Sequence, residues 1–277
     1  RIDGQDGIRR PVGMSGVRLE AGVHLVTGAA SAVQNITKCI QRCGLQVDDL
    51  VPAAVAASKA VLTEDERELG VCVVDLGAGT TDIAIYTQGS IRYTKSLPVG
   101  GDQVTSDISQ YVQTPTGNAE EIKVKYGCAL AQMARGEETI QVPSVGERPP
   151  RRLQRQALAQ SIQARYEEIF EMVQDEVRRS GYENLLAAGV VLTGGAARIE
   201  GALYLAEEVF HKMVRLGVPQ HVTGATEVIA TPAHAASIGL LLHGSREGSN
   251  SRALGGAMGD SVAGAIGKMK SWLSKNF

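Results

Sequence analysis

Apolar residues occur along the chain in short blocks, and several of those blocks end at glycine. The segment VCVVDL at residues 71–76 is one block, and GVVLT at residues 189–193 is another. Short aliphatic runs of this kind predict buried strands. Two alternating runs on either side of Gln88 and Gly89 predict a β-hairpin. Strands that alternate with helical segments indicate an α/β protein with mixed sheets.

Apolar residues recur at helical spacing in other segments. Residues 30–44 predict a helix of about three turns, with Ser31 as its N-cap and Gly44 as its C-terminal stop. A second helix is expected to end before Thr114, and an amphipathic helix is expected to reach about Met213. A long helix follows from residue 158, and its buried stripe is predicted to contain Ile162, Tyr166, Ile169, Phe170 and Val173.

Four segments carry weaker patterns. Residues 17–27 alternate like a pair of strands, and residues 45–62 predict a strand followed by an Ala-rich helix. Residues 63–70 are expected to form a charged surface connector. From about residue 115 to residue 160 the charge increases and the aliphatic content falls, which indicates a subdomain inserted into the main fold.

The net charge and the cysteines narrow the functional classes. A formal charge of -2 argues against a nucleic-acid partner held by bulk electrostatics. Cys39, Cys43, Cys72 and Cys128 form no CxxC pair, which favours a reduced cytoplasmic environment. Cys39 and Cys43 share a helical face, where we expect buried free thiols, with a metal or redox site as the alternative. There is no apolar run of bilayer-spanning length and no secretory signal, and the start at Arg1 suggests a piece of a longer protein.

The first aliphatic block contains a carboxylate and ends in a glycine-rich turn. An unpaired carboxylate is costly to bury, so Asp75 should lie at an edge or in a cleft. Gly77 and Gly79 follow it, and we expect positive φ angles there. The backbone amides from Gly77 to Thr81 are then expected to form a nest for phosphate groups. A tight turn without a ligand is the alternative.

The second aliphatic block ends at two glycines, Gly194 and Gly195. We expect them to open a helix against which a nucleotide can lie close to the backbone. Either turn alone is explained equally well without a ligand. Together, each after a buried strand, the two turns predict two walls of one nucleotide site. The P-loop and dinucleotide-binding fingerprints are absent from the sequence.

These motifs resemble those of a known superfamily. VVDLGAGTTD resembles the phosphate-2 motif, and GVVLTGGAARIEG the adenosine motif, of the actin, Hsp70 and sugar-kinase proteins. Within that superfamily the chain resembles the FtsA family of bacterial cell-division proteins, through the segments GVRLEAGVHLVTG, LTEDERELGVCVVDLGAGTTDIAIYTQGSI, PVGGDQVTSDI, AEEIKVKYGCA and PPRRLQRQALAQSIQARYEE. The first phosphate loop of that family and most of its subdomain 1C have no counterpart in this sequence.

The resemblance implies an α/β fold of the actin-like, ribonuclease H-like type, with mixed sheets flanked by helices. An α+β subdomain is inserted into it, and an amphipathic helix ends the chain. In chain order the implied parts are the tail of subdomain 1C (1–28), the C-terminal part of 1A (29–69), 2A (70–114 and 161–243), 2B (115–160), a flexible linker (244–261) and the C-terminal helix (262–277).

The resemblance also implies roles for individual residues. Asp75 would hold Mg²⁺ through the water shell of the ion, and Asp82 is a second candidate near the same metal. The residues implied to bind the phosphates of ATP are Gly77, Ala78, Gly79, Thr80 and Thr81, with both threonines contributing hydroxyls. Those implied to bind the adenosine are Glu120, Lys123, Gly194, Gly195, Ala196 and Arg198. Read without the resemblance, Asp82 is a strand-edge carboxylate or cap, and Glu120 with Lys123 is an exposed ion pair.

Binding of ATP does not imply its hydrolysis. Phosphoryl transfer needs a residue that orients the attacking water, and no residue of this sequence can be assigned that role. No catalytic residue is therefore predicted. We expect ATP with Mg²⁺ to act mainly as a conformational ligand that is hydrolysed slowly or not at all.

The C-terminal residues carry a separate signal. Residues 244–261 are rich in Gly and Ser, which predicts a flexible linker. Residues 262–277 then have an apolar stripe with lysines beside it and are too short to span a bilayer, which predicts a helix lying on anionic lipid. Packing of that helix on its own protein is the alternative. The residues predicted to contact the membrane are Val262, Ile266, Lys268, Met269, Lys270, Trp272, Leu273, Lys275 and Phe277.

A basic cluster within the inserted region suggests a partner. It comprises Arg148, Arg151, Arg152 and Arg155, and a solvated basic edge explains it equally well. The resemblance implies that subdomain 2B receives the acidic and apolar C-terminal tail of the tubulin-like protein FtsZ. Complementary charge would speed and orient that encounter.

Taken together, the resemblance implies an ATP-binding, actin-like membrane adaptor that tethers FtsZ filaments to the cytoplasmic membrane. It would be a peripheral protein on the cytoplasmic face of the bacterial inner membrane at the division septum. Self-association into polymers would strengthen its weak attachment to anionic lipids through avidity, and it would recruit later divisome proteins. The alternatives are an actin-like type IV pilus assembly protein, an Hsp70-like ATPase and a sugar kinase.

Overall fold

The chain divides into two units, Arg1–Asp49 and Leu50–Phe277. The structure is a computed structural model that describes residues 1–5, 7–8, 11–144, 149–220, 222 and 229–245. None of the helices within these ranges is long and apolar enough to cross a membrane. The subdomain borders that the resemblance implies remain predictions.

The first unit contains little regular structure apart from one helix. Ile2 forms an isolated bridge with Leu19, and the Asp3 carboxylate accepts a hydrogen bond from the Val17 amide at 3.0 Å. The predicted strand pair over residues 17–27 is wrong, because an alternating run becomes a strand only where another strand pairs with it. In the described part of this unit, Leu19 alone of that run is paired.

The helix of this unit, α1 (Ala30–Arg42), confirms the predicted three turns. Its N-cap is Ala29, which has no capping side chain, so the prediction of Ser31 as N-cap is wrong. No residue of α1 is buried, and Cys39 and Cys43 are exposed. The expectation of two buried thiols is therefore also wrong, because no described residue of this unit covers the apolar side of α1.

The second unit is built on a five-stranded mixed sheet with the order β3-β2-β1-β6-β7. β1 to β3 are antiparallel neighbours, whereas β6 runs parallel to β1 and β7 parallel to β6. A separate two-stranded antiparallel sheet joins β4 to β5. The strands are β1 (Val71–Leu76), β2 (Thr81–Thr87), β3 (Ser90–Leu97), β4 (Thr139–Val142), β5 (Arg151–Gln154), β6 (Val190–Thr193) and β7 (Val214–Leu216). Both aliphatic strands and the hairpin predicted from the sequence are confirmed.

Helices cover both faces of the five-stranded sheet. They are α2 (Ala53–Val61), α3 (Glu64–Leu69), α4 (Gly101–Tyr111), α5 (Thr116–Tyr126), α6 (Arg155–Ser180) and α7 (Ala202–Phe210), and residues 235–245 are also helical. Val74 and Leu76 of β1 pack into the core that contains α4, α6 and α7, whereas Val71 and Val73 pack with α2 and Ile238. A strand buried on both faces has no polar side, which explains why β1 is apolar apart from Asp75.

Long-range packing confirms the buried stripe predicted for α6. All five of its residues are less than 2% exposed. The Tyr166 and Phe170 rings meet edge to face at 5.9 Å, and the Phe170 and Phe210 rings at 5.5 Å. The second of these contacts joins α6 to α7. Of the four cysteines, Cys72 and Cys128 are buried free thiols.

Two predictions between residues 45 and 70 need correction. Residues 45–50 form no strand, and acidic Asp48 and Asp49 in that segment disfavour one. The expected charged connector is a short helix, α3, because Thr63 and Glu66 form a capping box. The Glu66 amide donates to Thr63 Oγ1 at 3.2 Å, and the Thr63 amide donates to Glu66 Oε2 at 2.9 Å.

The segment after β6 also differs from the prediction. Gly194 and Gly195 lead into a single 3₁₀ turn, Ala196–Arg198, rather than into a regular helix. The amphipathic helix α7 ends at Phe210, and His211 leaves it with a left-handed φ of 49°. The chain then enters β7, a three-residue strand too short to be recognised from the sequence. Residues 244–245 continue the last described helix, so the predicted linker does not begin at residue 244.

Candidate functional site

The two glycine-bearing turns lie side by side at one edge of the sheet. β1 and β6 are parallel, and Asp75 is paired with Thr193. The two strands therefore end at the same edge of the sheet. The turn that begins at Gly77 and the turn that begins at Gly194 consequently lie next to each other. Gly194 has a φ of 92°, and a Cβ placed on it would lie 2.3 Å from the Leu76 carbonyl oxygen. Only glycine fits this close approach without rearrangement.

The first turn presents unpaired backbone amides. The Gly77 amide donates to the Thr80 carbonyl at 2.9 Å, which closes the turn. The amides of Ala78, Gly79 and Thr80 donate to no group of the described residues, and all three residues are exposed. Consecutive free amides of this kind can bind anionic groups. Of the five amides expected to form a phosphate nest, the Gly77 amide is used within the turn and these three are available, so the nest remains a prediction.

The expected positive φ angles in the first turn are wrong for both Gly77 and Gly79. Gly77 is instead constrained by space, since a Cβ there would lie 3.1 Å from the Thr80 carbonyl oxygen. No atom lies within 4 Å of a Cβ placed on Gly79, so that position opens outward.

The threonine hydroxyls of this turn are already used within the protein. Thr81 is fully buried, and its Oγ1 donates to the Val99 carbonyl at 2.7 Å. A direct contact between that hydroxyl and a phosphate, as implied by the resemblance, is incompatible with this position. Thr80 is exposed, and its hydroxyl donates to Asp82 Oδ2 at 2.9 Å.

Two carboxylates lie directly opposite each other beside the turns. Asp75 of β1 is paired across the ladder with Asp82 of β2. Asp75 is 8% exposed, and no described residue hydrogen-bonds to its carboxylate. Burial, and then the negative charge of Asp82, raise the pKa of Asp75 to about 6. No group of three or more His, Cys, Asp or Glu side chains suited to a metal occurs among the described residues.

The first residues of α4 form a third side of the candidate site, which was not predicted from the sequence. The Gly101 amide donates to the Gly77 carbonyl at 2.9 Å, and the Asp102 amide to the Ala78 carbonyl at 2.8 Å. A Cβ placed on Gly101 would lie 3.3 Å from the Ala196 side chain and 3.4 Å from Lys123 Nζ. Gly101 therefore links the first turn, the second turn and α5. The available signal was a double glycine at residues 100–101 just before a helical pattern.

The predicted pair on α5 lies at this same point. Lys123 Nζ is 2.6 Å from Glu120 Oε2, 3.0 Å from the Gly101 carbonyl and 2.7 Å from Thr105 Oγ1. Burial acts to raise the pKa of Glu120, but hydrogen bonds from Lys123 and Thr105 outweigh it and lower the pKa. Thr105 is a member of this cluster that the sequence analysis missed, because a threonine on a helix carries no signal of its own.

A cavity of about 320 Å³ lies next to this cluster. Tyr166 lines this cavity and donates its hydroxyl to the Ala196 carbonyl at 2.8 Å. This hydrogen bond fixes the turn that follows Gly194 and Gly195. Four cations and the acid Glu200 line this cavity, and two of the cations are paired with glutamates, Lys123 with Glu120 and Arg155 with Glu138 and Glu200; the other two cations are Lys125 and Arg198. A larger cavity, of about 480 Å³, is lined by residues of α6 and α7 and by His211, four of them acidic, and contains none of the glycine turns.

The predicted arginine cluster does not form one exposed surface. Arg155 is the first residue of α6, its side chain is 13% exposed, and it pairs with Glu138 and Glu200. Arg151 and Arg152 are exposed on β5, and Arg151 also donates to the Val112 carbonyl. Arg148 and the predicted membrane-contacting residues of 262–277 lie outside the described residues.

Comparison with known families identifies the chain. The family model described as "Cell division protein FtsA" matches residues 72–239, which contain both glycine turns. The chain belongs to the FtsA family. A second model, described as "SHS2 domain inserted in FTSA", matches residues 1–27. The resemblance stated from the sequence is confirmed, and the pilus, Hsp70-like and sugar-kinase alternatives are not favoured.

Relatives of known name cover the whole chain. The cell division protein FtsA of Pseudomonas aeruginosa is 55% identical over 281 residues, which covers 100% of this chain and 67% of that protein. The FtsA protein of Escherichia coli is 49% identical over 284 residues, covering 100% of this chain and 68% of that protein. This FtsA family member thus spans about two thirds of the length of these relatives.

Solved structures confirm the predicted actin-like fold. MreB5 of Spiroplasma citri bound to ADP matches with a TM-score of 0.62 at 16% identity, over 80% of this chain and 68% of the other. The MamK double helical filament matches with a TM-score of 0.57 at 16% identity, over 77% of this chain and 65% of the other. At this identity the likeness establishes the fold alone.

Proposed function

We propose that this FtsA family member is an ATP-binding membrane adaptor that links FtsZ filaments to the cytoplasmic membrane during bacterial cell division. The observation that carries the nucleotide part is the position of Gly194 against Leu76 and Asp75, which brings the two glycine turns together. Membership of a cell-division family supports a role in bacterial cell division.

In the proposed complex the free amides of Ala78, Gly79 and Thr80 bind the phosphates. The open position at Gly79 leaves room for them. The adenosine occupies the cavity beside Ala196 and Arg198. The likeness in fold to MreB5 bound to ADP supports nucleotide binding in general.

A magnesium ion fits the pair formed by Asp75 and Asp82. Asp75 is nearly buried and has no protein partner among the described residues, so a cation or its water shell would compensate its charge. The ion would neutralise phosphate charge, and the two carboxylates would hold its waters. No described residue is assigned to orient an attacking water, so we expect ATP turnover below about one per second.

The FtsZ-binding surface is proposed on β5, at Arg151 and Arg152. Both side chains are exposed and positively charged, which complements an acidic peptide. Arg155 is already neutralised by Glu138 and Glu200 and contributes to the cavity instead.

Membrane attachment is proposed through residues 262–277, which carry apolar residues and lysines without an acid. Self-association would add avidity to one weak helix, and the likeness to a filament-forming fold supports that step. The proposed location is the cytoplasmic face of the inner membrane at the septum, where further divisome proteins would be recruited.

Co-sedimentation with liposomes tests this function. FtsZ is mixed with anionic vesicles and the intact protein, with and without Mg-ATP, and a variant that lacks residues 262–277 is compared. A second variant with those residues scrambled keeps the charge and length. We expect FtsZ to sediment only with the unaltered protein. Equal recruitment by all three would reject the membrane part, and no binding of Mg-ATP by the intact protein would reject the nucleotide part.

A further inference from the structure

The larger cavity, of about 480 Å³, is a groove between α6 and α7 with an acidic rim. Glu167, Glu171 and Asp175 follow one another at intervals of four residues along α6, so they lie on one face of that helix. Glu208 contributes a fourth carboxylate from α7. A pocket of this size takes a small ligand or a few side chains of a peptide.

The charge of this groove is largely uncompensated. Glu171 and Glu208 are exposed and have no hydrogen-bond or ion-pair partner among the described residues. Asp175 pairs with Arg178 only at 3.7 Å, and Arg178 is the one lysine or arginine among the described lining residues. Four carboxylates against one guanidinium group give the groove a negative charge, which favours a cationic occupant.

The base of the groove is apolar. Leu205 is fully buried and Val209 is half-buried, and both line the cavity. The best-matched occupant is therefore a peptide segment that is apolar on one side and cationic beside it. Residues 262–277 have this composition, with three lysines and no acid. Their apolar stripe comprises Val262, Ile266, Met269, Leu273 and Phe277, and their lysines are Lys268, Lys270 and Lys275.

The chain is long enough for this segment to reach the groove. The helix that ends the described residues packs through Ile238 on the α2 face of the sheet, whereas α6 and α7 cover the opposite face. A sheet of five strands is about 20 Å wide. Residues 246–261 can span about 50 Å when extended, which is enough to pass around an edge of the sheet.

We propose that residues 262–277 dock in the groove between α6 and α7 of their own chain when no membrane is bound. This inference rests on the proposed membrane attachment through the same residues. Groove and anionic lipid compete for one apolar stripe and one set of lysines, so docking lowers the affinity for the membrane. The tether favours the segment of the same chain over that of a second copy.

The fluorescence of Trp272 tests docking in the absence of lipid, because Trp272 is the single tryptophan of the chain. The intact wild type is compared with a double variant, Glu171→Gln with Glu208→Gln, that removes the two unpaired charges. Both positions are exposed, so the protein should stay folded. We expect the wild type to emit at shorter wavelength and to be quenched less by acrylamide. A control, Glu64→Gln with Glu137→Gln, removes two exposed charges outside the groove and should behave as the wild type does.

Binding to anionic vesicles tests the competition. The groove variant should bind with about fivefold higher affinity than the wild type, because two exposed ion pairs no longer hold the segment in the groove. The control variant has the same net charge as the groove variant, so it accounts for a general loss of repulsion from anionic lipid. Its affinity should stay close to that of the wild type.

Equal emission and quenching of Trp272 in the wild type and the groove variant would overturn the proposal. A Trp272 signal that changes with protein concentration would also overturn it, because the segment in the groove would then come from a second copy. If neither protein bound vesicles but the difference in Trp272 fluorescence remained, the membrane attachment would be rejected and the docking supported.

Discussion

Gly194 lies directly against the carboxylate of Asp75, since a Cβ placed on Gly194 would be 2.6 Å from Asp75 Oδ1. Asp75 lies in β1, and Gly194 directly follows β6, the parallel strand whose last residue, Thr193, pairs with Asp75. The glycine keeps the space beside a nearly buried carboxylate free of side-chain atoms. This arrangement joins the two turns that the sequence suggested separately.

Gly194→Ala should destabilise the fold and abolish nucleotide binding. The added Cβ would meet the Leu76 carbonyl at 2.3 Å, and alanine disfavours a φ of 92°. We expect the free energy of unfolding to fall by about 2 kcal/mol or more. Urea denaturation and calorimetric titration with Mg-ATP measure the two effects.

Gly117→Ala is the matched control for that substitution. Gly117 lies in α5, its φ is not positive, and a Cβ there meets nothing within 4 Å. Alanine should therefore stabilise the protein by about 0.5 kcal/mol and leave nucleotide affinity unchanged. A loss of stability equal to that of Gly194→Ala would show that the second turn is not specially constrained.

The charge on Asp75 should make stability fall as the pH rises from about 4 to about 6. The folded state raises the pKa from 3.8 to about 6, so it binds the proton more tightly than the unfolded chain does. This contribution is complete below the unfolded pKa and is lost through the folded pKa, a change of about 3 kcal/mol. Asp75→Asn should be more stable than the wild type at pH 8, and the gap should close at pH 4.

The measurement is urea denaturation at several pH values in the presence of a chelator, so that no divalent ion offsets the charge. Asp48→Asn, at an exposed position, reports the effect of removing a surface charge. If the free energies of unfolding of the wild type and Asp75→Asn changed in parallel from pH 4 to pH 8, the ionised Asp75 carboxylate would not destabilise the folded state.

The sequence predicted the central strands β1 and β6 because both are buried on their two faces and are therefore mostly apolar. It also predicted that glycine turns follow them. It could not predict the burial of Thr81, because that burial depends on Val99, which is distant in sequence, nor the φ angles within the first turn, whose carbonyls accept from Gly101 and Asp102.

The contribution of α4 to the site and the partners of Arg155 could not be predicted from the sequence for the same reason. Gly101 and Thr105 belong to the site only because α4 packs against α5 and the first turn. Arg155 appeared to belong to a basic stretch, but its acidic partners are 17 and 45 positions away in the sequence. Short patterns predict elements, whereas side-chain partners follow from packing.

Arg155→Ala should destabilise the protein by about 1–2 kcal/mol. The guanidinium group donates to the Tyr126 carbonyl at 2.9 Å and pairs with Glu138 and Glu200. The two glutamates keep some exposure to water, which limits the cost of leaving them unpaired. Arg152→Ala, at an exposed site, should change the free energy of unfolding by less than about 0.5 kcal/mol. Equal effects of both, measured in urea, would contradict the separate roles of these arginines.

Charge reversal on β5 should weaken binding of an FtsZ tail peptide without unfolding the protein. Arg151→Glu and Arg152→Glu change exposed side chains at the proposed surface, and together they should lower affinity about tenfold at low salt. The loss should shrink as salt rises, because exposed charges are screened. Fluorescence anisotropy at two salt concentrations measures this, and Arg135→Glu, at another exposed arginine, is the control. An affinity unchanged at both salt concentrations would place the peptide elsewhere, because two reversed charges at its docking site would repel its acidic residues.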